Sequence, residues 1–229
     1  VLARARAPVR GGMKNPTAPE EATPRDATAR LIRENRLVVV LRRVEPHSQL
    51  LEIVRATFTA GARVFEITLD SPTALDDIAA TRRVLETSAT PFAVGAGTVL
   101  TSEQLQYAKR AGADFAVSPV LDEGVLREAV ASGVPFIPGA LSPSEMARGW
   151  SLGATFVKVF PASSVGPLHV REVLAPMPHL QLIATGGIDG GTARSFLDAG
   201  AAAVGIGSAF VRATAAERRA LIAALAPDA

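Results

Sequence analysis

Residues 154–163, ATFVKVFPAS, set Lys158 in an apolar run with Phe156, Val157, Val159 and Phe160 around it. Lysine is scarce in this chain: of its 24 basic residues, Lys14, Lys109 and Lys158 alone are lysines. A second apolar run, RVFEITLD over residues 63–70, carries Glu66 in the same manner. Read as strands, both runs alternate between two faces, so Lys158 shares a face with Phe156 and Phe160, and Glu66 with Val64, Thr68 and Asp70. If Phe65, Ile67 and Leu69 turn toward a layer of helices, Glu66 points into the interior.

Burial lowers the pKa of an amine, because the charged form loses its hydration. At an unperturbed value near 10.4 about 0.04% of a lysine amine is neutral at pH 7; at about 7 roughly half is, a differential of about 4–5 kcal/mol. A buried lysine is therefore a candidate Schiff-base nucleophile, with a nearby carboxylate to move protons. The competing reading is a structural Lys158–Glu66 ion pair, an expensive feature in an interior.

Two glycine-rich stretches add a second kind of chemistry. ATGGIDGGTA (184–193) and GIGSAF (205–210) each end an apolar run and lead toward a helix. Glycines at such junctions either shape a turn or expose backbone N–H groups to an anion such as phosphate. In GAGTV (95–99), Thr98 offers a hydroxyl at a strand end or caps the helix that starts near Thr101. Arg42, at the end of LVVVLR, meets a phosphate or carboxylate or is a surface arginine. His47 and His169 read as helix-start or surface residues, and Trp150 and Tyr107 as packing residues within helices.

The elements that must position these groups alternate. Strand-length runs fall at 37–42, 63–69, 92–97, 114–119, 135–138, 155–160, 181–186 and 202–207, with helical patterns between them, among them SQLLEIVRATFTA, LREAVAS, PSEMARGWSL and GTARSFLDA. The joints AGAR, AGAD, SGVP, LGAT and AGAA each put a glycine where a helix C-terminus needs a left-handed residue. Alternation with short connections predicts right-handed βαβ units and a parallel sheet. Eight such strands fit a (β/α)8 barrel preceded by a short lead helix at DATARLIRENR, with an open doubly wound sheet as the alternative. In such a barrel, function sits at the C-terminal strand ends, and phosphate is often held after strands seven and eight.

Bulk properties bound the rest. The chain has 229 residues, 48% of them hydrophobic, and a formal net charge of +2, which fits one large domain over 26–229. The Pro-, Ala- and Arg-rich opening, residues 1–25, reads as a disordered tail without a signal-peptide core. Cysteine is absent and the three histidines lie apart, so no metal site is expected, although carboxylates alone can hold Mg²⁺. The charge balance points to no nucleic-acid partner, and no apolar run approaches the ~18 residues of a membrane span. A cytoplasmic protein is the expectation.

Taken in order, EITL, VGAGTVL, the SP pair of FAVSPVL, FIPGALSPSE, VKVFPAS, TGGI and GIGS resemble the aldolases for 2-keto-3-deoxy-6-phosphogluconate and 4-hydroxy-2-oxoglutarate, from about residue 30 to 212. The resemblance implies a class I aldolase that needs no cofactor and is usually a trimer. Lys158 matches the Schiff-base lysine, Glu66 the general acid/base, and Thr98 a contact to the pyruvate portion. Arg42, Gly186, Gly187, Gly207 and Ser208 match positions around a distal phosphate, and Pro119 and Phe160 positions lining the site. One departure stands out. Better-known members carry an arginine for the pyruvate carboxylate where this chain has Asp70, in LDSP. That segment looks closer to the 6-phosphogalactonate-type relatives, whereas TGGI looks like the phosphogluconate type. The rival readings are a 4-hydroxy-2-oxoglutarate aldolase, a phosphosugar isomerase or epimerase using Glu66 as base, and a non-catalytic phosphosugar-binding protein.

Overall fold

The computed structural model describes residues 23–226. Of the tail expected over residues 1–25, residues 1–22 lie outside the described residues. Helix α1 (Pro24–Asn35) starts two residues ahead of its expected position, because Thr23 and Asp26 cap each other. The Thr23 hydroxyl accepts the Asp26 N–H, and the Asp26 carboxylate accepts the Thr23 N–H.

Strands β1 (Leu37–Leu41), β2 (Val64–Thr68), β3 (Ala93–Gly97), β4 (Phe115–Val117), β5 (Phe136–Ile137), β6 (Gly139–Ala140), β7 (Val157–Val159), β8 (Leu182–Thr185) and β9 (Ala203–Ile206) follow. Between and after them run α2 (His47–Thr59), α3 (Ala74–Leu85), α4 (Ser102–Arg110), α5 (Glu123–Ala131), α6 (Pro143–Ser151), α7 (Gly166–Leu174), α8 (Ala193–Asp198), α9 (Ser208–Arg212) and α10 (Ala215–Leu225). All strand pairings are parallel, in the order β5-β4-β3-β2-β1-β9-β8-β7-β6.

Nine segments occupy eight barrel positions. The expected fifth strand breaks at Pro138, which has no N–H to give to the ladder. Its first half, β5, pairs with β4 and its second half, β6, pairs with β7, so the chain itself brings the two ends of the sheet together. The architecture is the expected (β/α)8 barrel rather than an open sheet. The five glycines read as helix stops all have left-handed backbone, from φ 71° at Gly133 to 114° at Gly61.

Alternation along the strands separates two apolar layers. Val39, Phe65, Val94, Val157, Leu182 and Val204 face the helices. Val38, Val64, Phe115, Val117, Phe156 and Ile183 face the axis and pack with Ala29 and Ile32 of α1. Helix α1 thus closes the N-terminal end of the barrel with apolar side chains. Arg25 ties it there by donating to the Gly153 carbonyl at 2.7 Å.

Candidate active site

The strand pattern that sends Val38, Val64 and Phe156 to the axis also sends Glu66 and Lys158 there, one layer nearer the C-terminal end. Glu66 is 3% exposed and Lys158 5%. Glu66 lies level with Val40 and Gly95, and Lys158 with Gly139 and Ile183. Small neighbours make the room. A Cβ at Gly97 would sit 2.1 Å from Glu66 Oε1, and one at Gly205 would sit 2.4 Å from Thr185 Oγ1.

Both ionisable groups open onto one cavity of about 520 Å³, whose wall also includes Arg42, Phe160, Thr185, Gly186, Gly187, Gly207 and Ser208. That volume suits a small-molecule site. Among the described residues, the side chains of Glu66 and Lys158 make no hydrogen bond and no salt bridge within the protein. The Lys158 ammonium position lies 4.7 Å from the centroid of the Phe160 ring. A structural ion pair is therefore not what holds them. Buried charges are normally paired; these two face a cavity instead. Burial holds the Lys158 amine below its ordinary 10.5; Glu66 opposes this and Arg42 adds to it.

The far wall is backbone. Gly186 and Gly187 have φ of 95° and 71°, and a Cβ at Gly187 would meet Ser163 Oγ at 2.3 Å. The N–H groups of Gly187 and Ile188 have no acceptor among the described residues. Asp189 steadies this loop, its Oδ1 accepting the N–H groups of Gly191 and Thr192 at 3.0 Å each.

Arg42 stands at the mouth with its side chain half-exposed. Its Nη2 donates to Thr98 Oγ1 at 3.2 Å, and its Nε lies 3.8 Å from Asp70 Oδ2. Arg43 Nε approaches the same carboxylate oxygen at 3.3 Å. Thr98 has φ 59°, an unusual conformation for a β-branched residue. The hydroxyl that caps α4 belongs to Thr101, which accepts the Gln104 N–H.

Not every expected site residue reaches the cavity. Thr98 touches its wall through Arg42, and Pro119 does not line it; a Cβ at Gly139 would meet the Pro119 carbonyl oxygen at 2.2 Å. Arg212, on the cavity wall, went unread in the sequence. His47 starts α2 and bonds to the buried Asp77, and His169 bonds to the Leu141 carbonyl at 2.9 Å. Trp150 is half-buried, as a packing residue should be. Tyr107 is not; it is 40% exposed and donates to Glu103. Among the described residues, no group of three or more His, Cys, Asp or Glu side chains is placed to hold a metal ion.

Comparison with known proteins extends this geometry. The 2-dehydro-3-deoxy-phosphogluconate aldolase of Treponema pallidum is 40% identical over 152 residues, 66% of this chain and 69% of its own. The 2-dehydro-3-deoxy-6-phosphogalactonate aldolase of Escherichia coli is 33% identical over 178 residues, 77% of this chain and 85% of its own. The KDPG aldolase of Legionella pneumophila, solved with pyruvate captured at low pH as a covalent carbinolamine intermediate, superposes with a TM-score of 0.71 at 27% identity, over 90% of this chain and 98% of its own. The model of one family, KDPG and KHG aldolase, matches residues 28–224. A parallel barrel with a buried lysine and glutamate open to one cavity, and relatives of this kind along most of its length, make this chain a member of the KDPG and KHG aldolase family.

Proposed function

We propose that the chain is a class I aldolase that cleaves a 2-keto-3-deoxy-6-phospho sugar acid to pyruvate and glyceraldehyde 3-phosphate through a Schiff base on Lys158. The observation that carries this reading is the pair of buried groups, Lys158 and Glu66, on one cavity wall with no side-chain hydrogen bond or salt bridge. An amine kept below its ordinary pKa has a usable neutral fraction, and its lone pair attacks the C2 ketone. Loss of water from the carbinolamine leaves an iminium. Glu66 takes the proton of the C4 hydroxyl, the C3–C4 bond breaks, and its electrons pass into the iminium to give an enamine. The aldehyde departs, Glu66 returns a proton to C3, and water releases pyruvate and the free amine.

Positioning falls to the walls. The unpaired N–H groups near Gly187 and the Gly207–Ser208 segment suit the distal phosphate, and Phe160 lies against the reacting amine. Asp70 cannot neutralise the substrate carboxylate. It draws Arg42 and Arg43 to the mouth, leaving Arg42 with Thr98 as the nearest cationic contact for that group. The family resemblance supports a homotrimer, and the exposed Leu100, Val120, Leu141 and Leu168, which follow β3, β4, β6 and β7, are apolar side chains that such an assembly could cover. A cytoplasmic location suits such a substrate.

Steady-state rates of pyruvate release test the substrate. The reading expects kcat/KM for the 6-phosphorylated acid to exceed that for 4-hydroxy-2-oxoglutarate. The reverse preference would make the smaller keto acid the substrate.

A further inference from the structure

Positive charge is unevenly committed around the cavity. On the aldolase reading Lys158 is taken up as the nucleophile. Arg42 is already partly matched, with Asp70 Oδ2 at 3.8 Å from its Nε and Thr98 Oγ1 at 3.2 Å from its Nη2. Asp189, the acid on the glycine-rich wall, is held by its own turn, its Oδ1 accepting from Gly191, Thr192 and the Thr192 hydroxyl. Arg212, an exposed residue, also lines this wall, and among the described residues its side chain has neither an ion pair nor a hydrogen bond. It lies four residues after Ser208 on α9, a spacing that puts both side chains on one face of the helix. An uncommitted guanidinium on a cavity wall carries a forked set of donors that matches phosphate oxygens.

We infer that Arg212 is a specificity-determining residue that binds the distal phosphate of the substrate and selects phosphorylated over unphosphorylated keto acids. The inference rests on the aldolase reading for the identity of the substrate, but the anion contact itself does not. With Arg42 drawn toward Asp70 and Thr98, and assigned to the substrate carboxylate, the phosphate dianion is left short of positive charge. Arg212 supplies it from the side where Gly187 and Ser208 stand.

The test compares wild type, Arg212→Ala and Arg212→Lys on 2-keto-3-deoxy-6-phosphogluconate and on the same acid without its phosphate. The readout is the ratio of the two kcat/KM values, which a partly unfolded preparation does not alter. Arg212→Ala should lower this ratio by about 10- to 100-fold, the worth of one or two hydrogen bonds to a charged group, mainly through KM for the phosphorylated acid. Arg212→Lys, which keeps the charge, should recover part of it. An unchanged ratio in Arg212→Ala overturns the inference and leaves the aldolase reading standing. If wild type turns over neither acid, the aldolase reading falls, and titration with inorganic phosphate decides the contact. Weaker phosphate binding by Arg212→Ala, by tenfold or more, supports it; equal binding overturns it.

Discussion

The two ends of this barrel are made from the same strands by the same alternation, and they hold opposite contents. At the N-terminal end, Val38, Val64 and Phe156 meet Ala29 and Ile32 of α1 in a sealed apolar plug. One layer on, the same faces of the same strands carry Glu66 and Lys158, and glycines at 97 and 205 replace the side chains that would fill the space. The first arrangement gains stability by excluding water from apolar surface. The second gives some of that up to keep two ionisable groups buried without a salt bridge. Stability and chemistry are thus divided along the axis, which has measurable consequences.

The largest effect belongs to the open end. Glu66→Gln keeps the shape but cannot accept a proton, so kcat for aldol cleavage should fall by about 10²- to 10⁴-fold. Thermal unfolding should show a protein no less stable than wild type. A large fall in Tm would mean that Glu66 supports the fold instead. At the sealed end, Ile32→Ala should do the reverse. It should cost about 2–5 kcal/mol of stability, read from denaturant midpoints, with kcat little changed. A change in kcat comparable to that of Glu66→Gln would dissolve the division between the ends.

A subtler consequence concerns pH. Lys158 titrates below its ordinary 10.5 in the folded chain, chiefly through burial. Between its folded and unfolded values the unfolded chain binds more protons, so wild-type stability gains from this group as pH rises through that window. Lys158→Met removes the amine and with it that gain. The variant should melt above wild type near neutral pH, and the difference should shrink as pH approaches 10.5. A constant difference across that range would mean that burial does not strain the amine.

Much of this division was legible in the residues. Alternation in RVFEITLD and TFVKVF puts Glu66 and Lys158 on one interior, since a period of two leaves little freedom once Phe65, Ile67 and Val157 must face the helices. The left-handed glycines of the helix ends were readable for the same local reason. What was less legible depends on contacts far apart in sequence. The break at Pro138 is announced by proline chemistry, but only the closure between β4 and β7 shows what it serves. The link from Arg42 to Thr98 and Asp70 spans three strand ends and has no local signature. Arg212 is one arginine in an arginine-rich segment; its spacing of four from Ser208 was the available clue. Pro119 follows β4, whose neighbours β3 and β5 contribute no residue to the cavity wall, a separation that linear order does not show.

The measurement that bears most directly on the division is borohydride reduction in the presence of pyruvate, followed by peptide mass spectrometry. A reduced pyruvyl adduct should form on Lys158, with Lys14 and Lys109 unmodified, and should be absent from Lys158→Arg. Folded protein that shows no adduct at saturating pyruvate, or shows one elsewhere, would contradict a Schiff base at this buried amine and return the open end of the barrel to a binding or isomerase site.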